Sequence, residues 1–176
     1  MANFVYIATS LDGYIAGPGG ELDWLMNFPN PGKSDFGFGK FIKQINALVM
    51  GRKTFEKVLT FGTWPYPKPV FVLSSTLRQI PEHLEGKVEL INGDLRAIVN
   101  DLNDRRFKNL YIDGGQTVQG FMREGLVDEL IISVIPIVLG AGLPLFGKLD
   151  EAQRFELVKN EAFKNGIVKT HYRRSR

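Results

Sequence analysis

A glycine, two cations and a hydroxyl stand in a row where a predicted strand gives way to a predicted helix. They are Gly51, Arg52, Lys53 and Thr54. Gly51 would let a ligand approach the backbone, and the new helix would direct its free N–H groups and its positive dipole at that ligand. The group suits a phosphate or a pyrophosphate. A plain helix start with exposed basic residues would have the same sequence.

Two adjacent glycines, Gly114 and Gly115, stand at a second strand-to-helix junction and are followed by Gln116 and Val118. A backbone without side chains is what a dinucleotide needs if it is to lie across a turn. The spacing is not G-x-G-x-x-G, so it does not indicate a Rossmann dehydrogenase. We expect these four residues to contact a cofactor, and a tight turn is the alternative explanation.

Hydroxyls and a cation follow a third predicted strand, at Ser74, Ser75 and Arg78. The planar guanidinium of Arg78 would suit the 2′-phosphate that distinguishes NADPH from NADH. The alternative is a Ser/Thr turn that carries a surface arginine.

Asp35 is the main candidate for proton chemistry. It lies three residues before Phe38 and seven before Ile42, so a helix over residues 35–45 would put all three side chains on one apolar face. Partial desolvation there would raise the pKa of Asp35 and make it a proton donor, and Phe38 would bind substrate beside it. The alternative is that Asp35 caps the start of that helix.

Other candidates for substrate contact follow the first predicted strand. Asp12 would either take part in catalysis or hold the turn together with Gly13. Trp24, Trp64 and Tyr66 are candidates for stacking on a flat ring, although core packing explains aromatic residues equally well. We expect Asp12 and Trp24 to contact the substrate.

Composition limits the class of protein. The chain has 176 residues, enough for one domain, and it has no cysteine, which excludes disulfides and thiol chemistry. The two histidines have no metal-ligand spacing, so we expect no metal site. No signal peptide and no apolar run of about 20 residues is present, which predicts a cytoplasmic protein without membrane contact. The formal net charge of +3 favours an anionic small ligand over nucleic acid.

Strand and helix patterns alternate through the first two thirds of the chain, and strands dominate afterwards. The predicted elements are strands over 4–8, 47–50, 70–73, 88–91, 110–112 and 130–135, helices over 35–45, 53–59, 95–102 and 117–123, a loop over 10–34 and a hairpin over 155–172 with its turn at Asn165 and Gly166. Asp94 is expected to cap the third helix. This order predicts an α/β protein with a mostly parallel sheet and an antiparallel edge hairpin. Its ligands should bind at the carboxyl ends of the strands.

Four motifs in this order resemble the dihydrofolate-reductase-like superfamily. They are Ser-Leu-Asp-Gly-Tyr-Ile-Ala at 10–16, Met-Gly-Arg-Lys-Thr at 50–54, Leu-Ser-Ser at 73–75 and Asp-Gly-Gly at 113–115. The stretch over 125–140 is similar to the bacterial branch that includes the C-terminal reductase domain of the riboflavin-biosynthesis deaminase-reductase. The resemblance implies a single three-layer α/β/α domain over residues 1–176 with an eight-stranded sheet. It also implies NADPH along the carboxyl ends of the strands.

The resemblance also implies a role for particular residues. Trp24 would lie near the mobile active-site loop, and Asp35 would be the acid of the substrate pocket. The phosphate-binding turn for the cofactor would be formed by Gly51, Arg52, Lys53 and Thr54, and the adenosine side by Ser74, Ser75 and Arg78. The second glycine turn would be formed by Gly114, Gly115 and Gln116. The nicotinamide pocket would be formed by Ala8 and Ile15.

These features predict a reductase that moves a hydride from NADPH to a C=N bond of a pterin, a pyrimidine or a related small molecule. One alternative is a 5-amino-6-(5-phosphoribosylamino)uracil reductase of riboflavin biosynthesis, which would need cations such as Lys33, Lys40 or Lys43 for the substrate phosphate. A second alternative is a non-catalytic NADP-binding module. The apolar run over residues 130–139 would suit a homodimer formed by sheet extension.

Overall fold

Residues 1–175, which the computed structural model describes, form ten strands and five α-helices. The strands are β1 (Ala2–Thr9), β2 (Tyr14–Ala16), β3 (Ala47–Gly51), β4 (Val70–Leu73), β5 (Val88–Ile91), β6 (Asn109–Asp113), β7 (Glu129–Val134), β8 (Leu143–Pro144), β9 (Phe155–Ala162) and β10 (Val168–Arg174). The helices are α1 (Asp23–Met26), α2 (Phe38–Gln44), α3 (Arg52–Leu59), α4 (Leu95–Asp104) and α5 (Gly115–Arg123). Within these residues, no helix has both the length and the apolar character that crossing a bilayer requires.

Eight strands form one sheet in the order β5-β4-β3-β6-β1-β7-β10-β9. The first six are parallel to their neighbours, whereas β10 pairs antiparallel with β7 and β9 pairs antiparallel with β10. The predicted α/β fold, with its mostly parallel sheet and antiparallel edge hairpin, is therefore confirmed. Strands β2 and β8 form a separate two-stranded sheet.

Helices cover both faces of the parallel part of the sheet, and this explains why its central strand β3 has no polar side chain. Ala47, Leu48, Val49 and Met50 of β3 are all fully buried. Alternate side chains of β3 enter two different clusters, because successive residues of a strand point to opposite faces. One cluster includes α4 and α5, and the other includes α2 and α3.

Local sequence patterns located most of the main sheet. The strands predicted over 70–73 and 88–91 have the observed bounds, and Asp94 caps α4 by accepting a hydrogen bond from the N–H of Ala97 at 2.9 Å. The predicted loop over 10–34 is only partly correct, because it contains β2 and the single turn of α1. Strand β2 pairs with β8, which lies far away in sequence, so no local pattern could reveal it.

Two other expectations are wrong. The helix predicted over 35–45 begins only at Phe38, because Gly37 adopts a left-handed φ of +88° just before it. A homodimer formed by sheet extension through residues 130–139 is excluded for the strand part of that run. β7 lies inside the sheet, between β1 and β10, so its backbone is already paired on both sides.

The cap of α4 can be tested by substitution. Asp94→Ala should lower the free energy of unfolding by about 1 kcal/mol, because one N–H at the start of the helix loses its acceptor. The control is Asp104→Ala at the other end of the same helix, where loss of a negative charge should be neutral or slightly stabilising. Denaturant unfolding of both variants measures the difference. Equal destabilisation by the two changes would contradict the capping role.

Candidate active site

The predicted cofactor-binding segments all lie at one edge of the sheet. β4, β3, β6, β1 and β7 are neighbours in that order and run parallel, so their carboxyl ends share an edge. Residues 74–78 follow β4, residues 52–54 follow β3 and residues 114–116 follow β6. The expectation that the two glycine turns lie side by side is confirmed, because Met50 of β3 pairs with Asp113 of β6.

The two glycine turns pack against each other through threonine side chains. A Cβ atom on Gly114 would overlap Thr54 Oγ1, and one on Gly51 would lie 2.8 Å from Thr117 Oγ1. Gly114 also has a φ of +90°, which a residue with a side chain adopts only with strain. Each glycine therefore makes room for a threonine of the neighbouring helix. The space beside these glycines, expected to admit a ligand, is filled by the protein itself, and the turns present backbone N–H groups to a ligand instead.

The helices that follow these turns have no side-chain caps. Gly51 precedes α3 and Gly114 precedes α5, and neither can supply a side-chain acceptor for the first N–H groups of its helix. Helix α4 differs, because Asp94 supplies one. Unpaired N–H groups and the positive end of the helix dipole make such a start suitable for an anion. Two of these starts lie side by side at the edge of the sheet.

Arg52 connects the turn after β3 to the turn after β4. Its Nη1 donates to Thr76 Oγ1 at 2.9 Å, and its Nε donates to Glu56 Oε1 at 2.6 Å. Ser74 Oγ in turn accepts from the N–H groups of Thr76 and Leu77, at 3.2 and 2.9 Å. The predicted adenosine side is therefore an ordered Ser/Thr turn, and Thr76 is a member that sequence reasoning missed.

The other predicted cofactor residues beside these two turns are accessible. Lys53, Ser75 and Arg78 are exposed at the same edge of the sheet. Lys53 follows Arg52 in the sequence, and Ser75 and Arg78 follow Ser74. This edge of the sheet therefore carries three basic residues and several hydroxyl groups. That set suits a phosphate group.

The predicted nicotinamide residues do not all serve one pocket. Ile15 of β2 packs on the second glycine turn, since a Cβ atom on Gly115 would lie 2.7 Å from Ile15 Cδ1. Gln116 is exposed beside it. The expectation that Val118 binds a cofactor is wrong, because Val118 is fully buried in the core on the side of α5 that faces the sheet. Its helical spacing marked a core position.

A cavity of about 260 Å³ opens beside the ends of β1 and β7. Most of its walls are apolar, and the polar side chains that reach it include Asn30, Asp35 and Ser133. The residues that line it are Tyr6, Ile7, Ala8, Leu25, Met26, Phe28, Asn30, Asp35, Phe36, Ser133, Ile135 and Ile167. Ala8 and Asp35 are thus placed in one pocket, next to the predicted cofactor edge.

Asp35 is exposed and held by backbone N–H groups. Its Oδ1 accepts from the N–H of Gly37 at 2.8 Å and its Oδ2 accepts from the N–H of Gly39 at 2.9 Å. These two hydrogen bonds lower the pKa of Asp35, and the positive charge of Lys169 acts in the same direction. The expectation of a raised pKa is wrong, because the carboxylate precedes the helix and does not share its apolar face. Asp35 is an ionised acceptor at the mouth of the cavity.

Two predicted substrate contacts fall next to the cavity instead of on it. Phe38 packs edge-on against Tyr6, with ring centroids 5.6 Å apart, and the residue that lines the cavity is Phe36. Trp24 is half-buried in α1, whereas its neighbours Leu25 and Met26 line the wall. Neither side chain lines the cavity, so contact of Phe38 and Trp24 with a substrate stays a prediction.

Asp12 stabilises the loop after β1. Its carboxylate accepts from Ser10 Oγ at 2.7 Å and from the N–H groups of Leu139 and Gly140 at 3.1 and 2.7 Å. The hydrogen bond from Ser10, followed by those from the backbone, lowers the pKa of Asp12 to about 2. Of the two roles expected for Asp12, the structure shows that of holding the loop, and Asp12 does not line the cavity.

Asp113 is the titratable group that sequence reasoning left without a role. It is the last residue of β6, and its carboxylate accepts from Tyr66 Oη at 3.2 Å and from the N–H of Gly114 at 2.8 Å. Burial raises the pKa of Asp113, and burial also raises the pKa of Tyr66. A carboxylate at the end of an apolar strand, directly before two glycines, is the signal that could have identified it. Tyr66, expected to stack on a ligand, instead orients this carboxyl group.

Comparison with known proteins identifies relatives along the whole chain. Residues 4–169 match the family of the RibD C-terminal domain. The uncharacterised protein YwjB of Bacillus subtilis is 38% identical over 176 residues, which cover 97% of each chain. A crystal structure from Shewanella sp. PV-4, described as a candidate riboflavin biosynthesis protein, is 50% identical, covers 100% of both chains and has a TM-score of 0.96.

A more distant structure shows the same fold. Dihydrofolate reductase from Enterococcus faecalis, in complex with NADP(H), aligns with a TM-score of 0.67 at 22% identity and covers 99% of this chain and 97% of the other. At that identity the likeness concerns the fold alone. The predicted dihydrofolate-reductase-like fold is confirmed.

The packing between the glycine turns can be tested with a double-mutant cycle. Gly51→Ala should lower the free energy of unfolding by about 1–3 kcal/mol, because the added Cβ would press on Thr117 Oγ1. In a Thr117→Ala background the same change should cost about 1 kcal/mol less. Gly32→Ala is the control, since a Cβ there meets no atom within 4 Å. Additive effects of Gly51→Ala and Thr117→Ala would show that the two residues are not coupled.

Proposed function

Since this chain belongs to the family of the RibD C-terminal domain, we propose that it is an NADPH-dependent reductase acting on a C=N bond of a pterin, a pyrimidine or a related flat heterocycle. One observation carries the proposal. Five neighbouring strand ends present, in order, a Ser/Thr turn with basic residues, two uncapped helix starts and an apolar cavity. At about 4.8 Å per strand this edge is about 19 Å long.

The phosphate groups of the cofactor would lie on the helix starts. The first N–H groups of α3 and α5 have no side-chain cap, so an anion can accept hydrogen bonds from both helices at once. Arg52 and Arg78 would hold the 2′-phosphate at the Ser74 turn, since a guanidinium binds phosphate through two parallel donors. The turn at Gly114 and Gly115 would present the first N–H groups of α5 to the diphosphate.

The nicotinamide would reach the cavity beside β1. Ala8 lines that cavity and has a small side chain, which leaves room for a flat ring at the end of the strand. Bound NADPH would supply the hydride, and the protein would orient the two rings and exclude water from the apolar walls. The side chains of Leu25, Met26 and Phe28 form the wall that the residue 17–32 segment contributes.

Asp35 would hold the substrate in its ionised form. Because its pKa is lowered, it remains a carboxylate at neutral pH and accepts hydrogen bonds from N–H groups of the substrate. A group that keeps its charge in this way is a poor proton donor. The proton that completes the reduction of the C=N bond must therefore come from another donor. The role of Asp35 would be to orient the substrate.

The cavity favours a substrate without a phosphate. None of its twelve lining residues is a lysine or an arginine. Lys33, Lys40 and Lys43, the cations considered for a substrate phosphate, are exposed and do not line it. Lys169 lies close by, but its ammonium group donates to the carbonyl of Phe36 and pairs with Glu161.

The phosphoribosyl-uracil reductase is the second candidate, because the matched family carries the RibD name. Its substrate would have to place a phosphate outside the described cavity. Assays with an aminouracil nucleotide and with an unphosphorylated pterin decide between the two. A non-catalytic NADP-binding module would bind the cofactor and turn over neither compound.

Cofactor choice is the first test. In calorimetric titrations the protein should bind NADPH more tightly than NADH, and Arg78→Ala should weaken NADPH binding by about tenfold or more without affecting NADH. Arg123→Ala, an exposed arginine at the far end of α5, is the control and should bind NADPH as the wild type does. If neither nucleotide gives a saturable signal, the proposed function is wrong. Equal affinities would refute only the 2′-phosphate assignment.

The role of Asp35 is the second test. Asp35→Asn keeps the size of the side chain and removes its charge, so kcat/KM for reduction of the heterocycle should fall by about tenfold to a hundredfold while the Kd of NADPH stays unchanged. Asp150→Asn, an exposed carboxylate outside the cavity, should have wild-type kinetics. Unchanged turnover by the Asp35→Asn variant would show that Asp35 does not bind the substrate.

A further inference from the structure

The backbone turn at the mouth of the cavity has an uncommon conformation. Phe36 has a φ of +51° and Gly37 has a φ of +88°, so two consecutive residues lie in the left-handed region. Phe36 is strained there because it has a side chain, and such a conformation persists only where surrounding contacts fix it. The same turn directs the N–H of Gly37 at Asp35 Oδ1. The contacts that fix the turn therefore also fix the carboxylate.

Two side chains of the main sheet hold the carbonyl of Phe36. Tyr6 Oη of β1 donates to it at 2.9 Å, and Lys169 Nζ of β10 donates to the same oxygen. The carbonyl of Phe36 and the N–H of Gly37 belong to one planar peptide group, so a donor that orients the oxygen also orients the N–H. The hydrogen bond from Gly37 to Asp35 thus depends on two strands that lie outside the loop.

Lys169 has a fixed place in this arrangement. Its side chain is only 16% exposed, and its ammonium group lies 3.5 Å from Glu161 Oε2 and 5.3 Å from the centre of the Phe163 ring. The Phe163 ring packs edge-on against Phe36 with centroids 4.9 Å apart. A Cβ atom on Gly37 would lie 3.0 Å from Lys169 Nζ. An acid, an aromatic ring and the strained peptide therefore surround the ammonium group.

Lys169 acts on the substrate pocket from outside it. It does not line the cavity, and among residues 1–175 its carboxylate partner is Glu161 and not Asp35. Its positive charge nevertheless contributes to the lowered pKa of Asp35, after the two backbone hydrogen bonds. Burial, followed by the charges of Asp35 and Glu161, raises the pKa of Tyr6 to about 12, so that its hydroxyl stays a donor at neutral pH.

We infer that Lys169 is a positioning residue for substrate binding, which holds the peptide between Phe36 and Gly37 so that the Asp35 carboxylate keeps its orientation at the mouth of the cavity. This role depends on the proposed function, in which Asp35 binds the substrate. Without the ammonium group, only Tyr6 would hold the carbonyl of Phe36, and the strained turn could relax. The carboxylate would then lose the N–H of Gly37 while its chemistry stayed the same.

Two lysines that pair with the same acid provide a matched test. Lys159 lies 3.6 Å from Glu161 Oε2, but its side chain is 69% exposed and it makes no hydrogen bond to Phe36 within the described residues. Lys169→Met removes the ammonium group and keeps an unbranched stem. Lys159→Met is the control. Lys169→Arg keeps a cationic donor and should restore the wild-type behaviour.

NMR measures the positioning without cofactor or substrate. In Lys169→Met the amide of Gly37 should exchange with solvent at least about tenfold faster than in the wild type, because it loses its fixed acceptor. The pKa of Asp35, followed by its ¹³C carboxyl signal and assigned with Asp35→Asn, should rise toward its ordinary value. Tyr6→Phe, which removes the other donor, should also speed the exchange of Gly37. Lys159→Met should match the wild type in both measurements.

Kinetics then connect the turn to the substrate. Lys169→Met should raise the KM for the heterocycle by about tenfold and change kcat by less than about threefold, with the Kd of NADPH unchanged. Lys169→Arg should recover most of the loss. A change in kcat alone would contradict a role in substrate binding.

Two further results would overturn the positioning role. One is wild-type exchange of Gly37 in both Lys169→Met and Tyr6→Phe, with circular dichroism showing that both are folded. The other is an equal change in Lys159→Met, which would show that the charge of Glu161 controls the turn. A wild type that binds no nicotinamide nucleotide would refute the proposed function, whereas the exchange of Gly37 is measured without any nucleotide.

Discussion

The reciprocal packing of Thr54 against Gly114 and of Thr117 against Gly51 is the contact on which the candidate site depends. It joins the start of α3 to the start of α5, so that the two helix dipoles end beside each other at the edge of the sheet. A Cβ on either glycine would force the helices apart. The contact also requires β3 and β6 to be neighbours, although they are separated in sequence by β4, β5 and α4. The fold thus places together two turns that look unrelated along the chain.

What the sequence could predict follows from how local each signal is. Strands such as Val70–Leu73 have apolar runs bounded by turns, and Asp94 caps a helix whose apolar spacing starts directly behind it. These signals require a window of a few residues. Strand β2 and the fit between Gly51 and Thr117 require a partner far away in sequence, and no local pattern carries that information.

The three aspartates near the edge of the sheet show why site chemistry is harder to predict than site location. Asp12 and Asp35 are both exposed and both have lowered pKa values, because backbone N–H groups of nearby loops donate to them. Asp113 has a raised pKa because the end of β6 is buried. The residue type is the same in all three, and the direction of the shift depends on which N–H groups and how much solvent the fold brings to each carboxylate. Sequence spacing placed Asp35 near the site but assigned it the wrong protonation behaviour.

The C-terminal hairpin of β9 and β10 supports one wall of the cavity. Ile167 lines the cavity and directly precedes β10, which pairs with β7. Lys169 of β10 donates to the carbonyl of Phe36, another residue of the cavity wall, and its charge contributes to the lowered pKa of Asp35. Strand β10 therefore supports both the wall of the cavity and the charge of the carboxylate at its mouth. Since β9 is the outermost strand and pairs only with β10, the order of this wall depends on how firmly the hairpin is held.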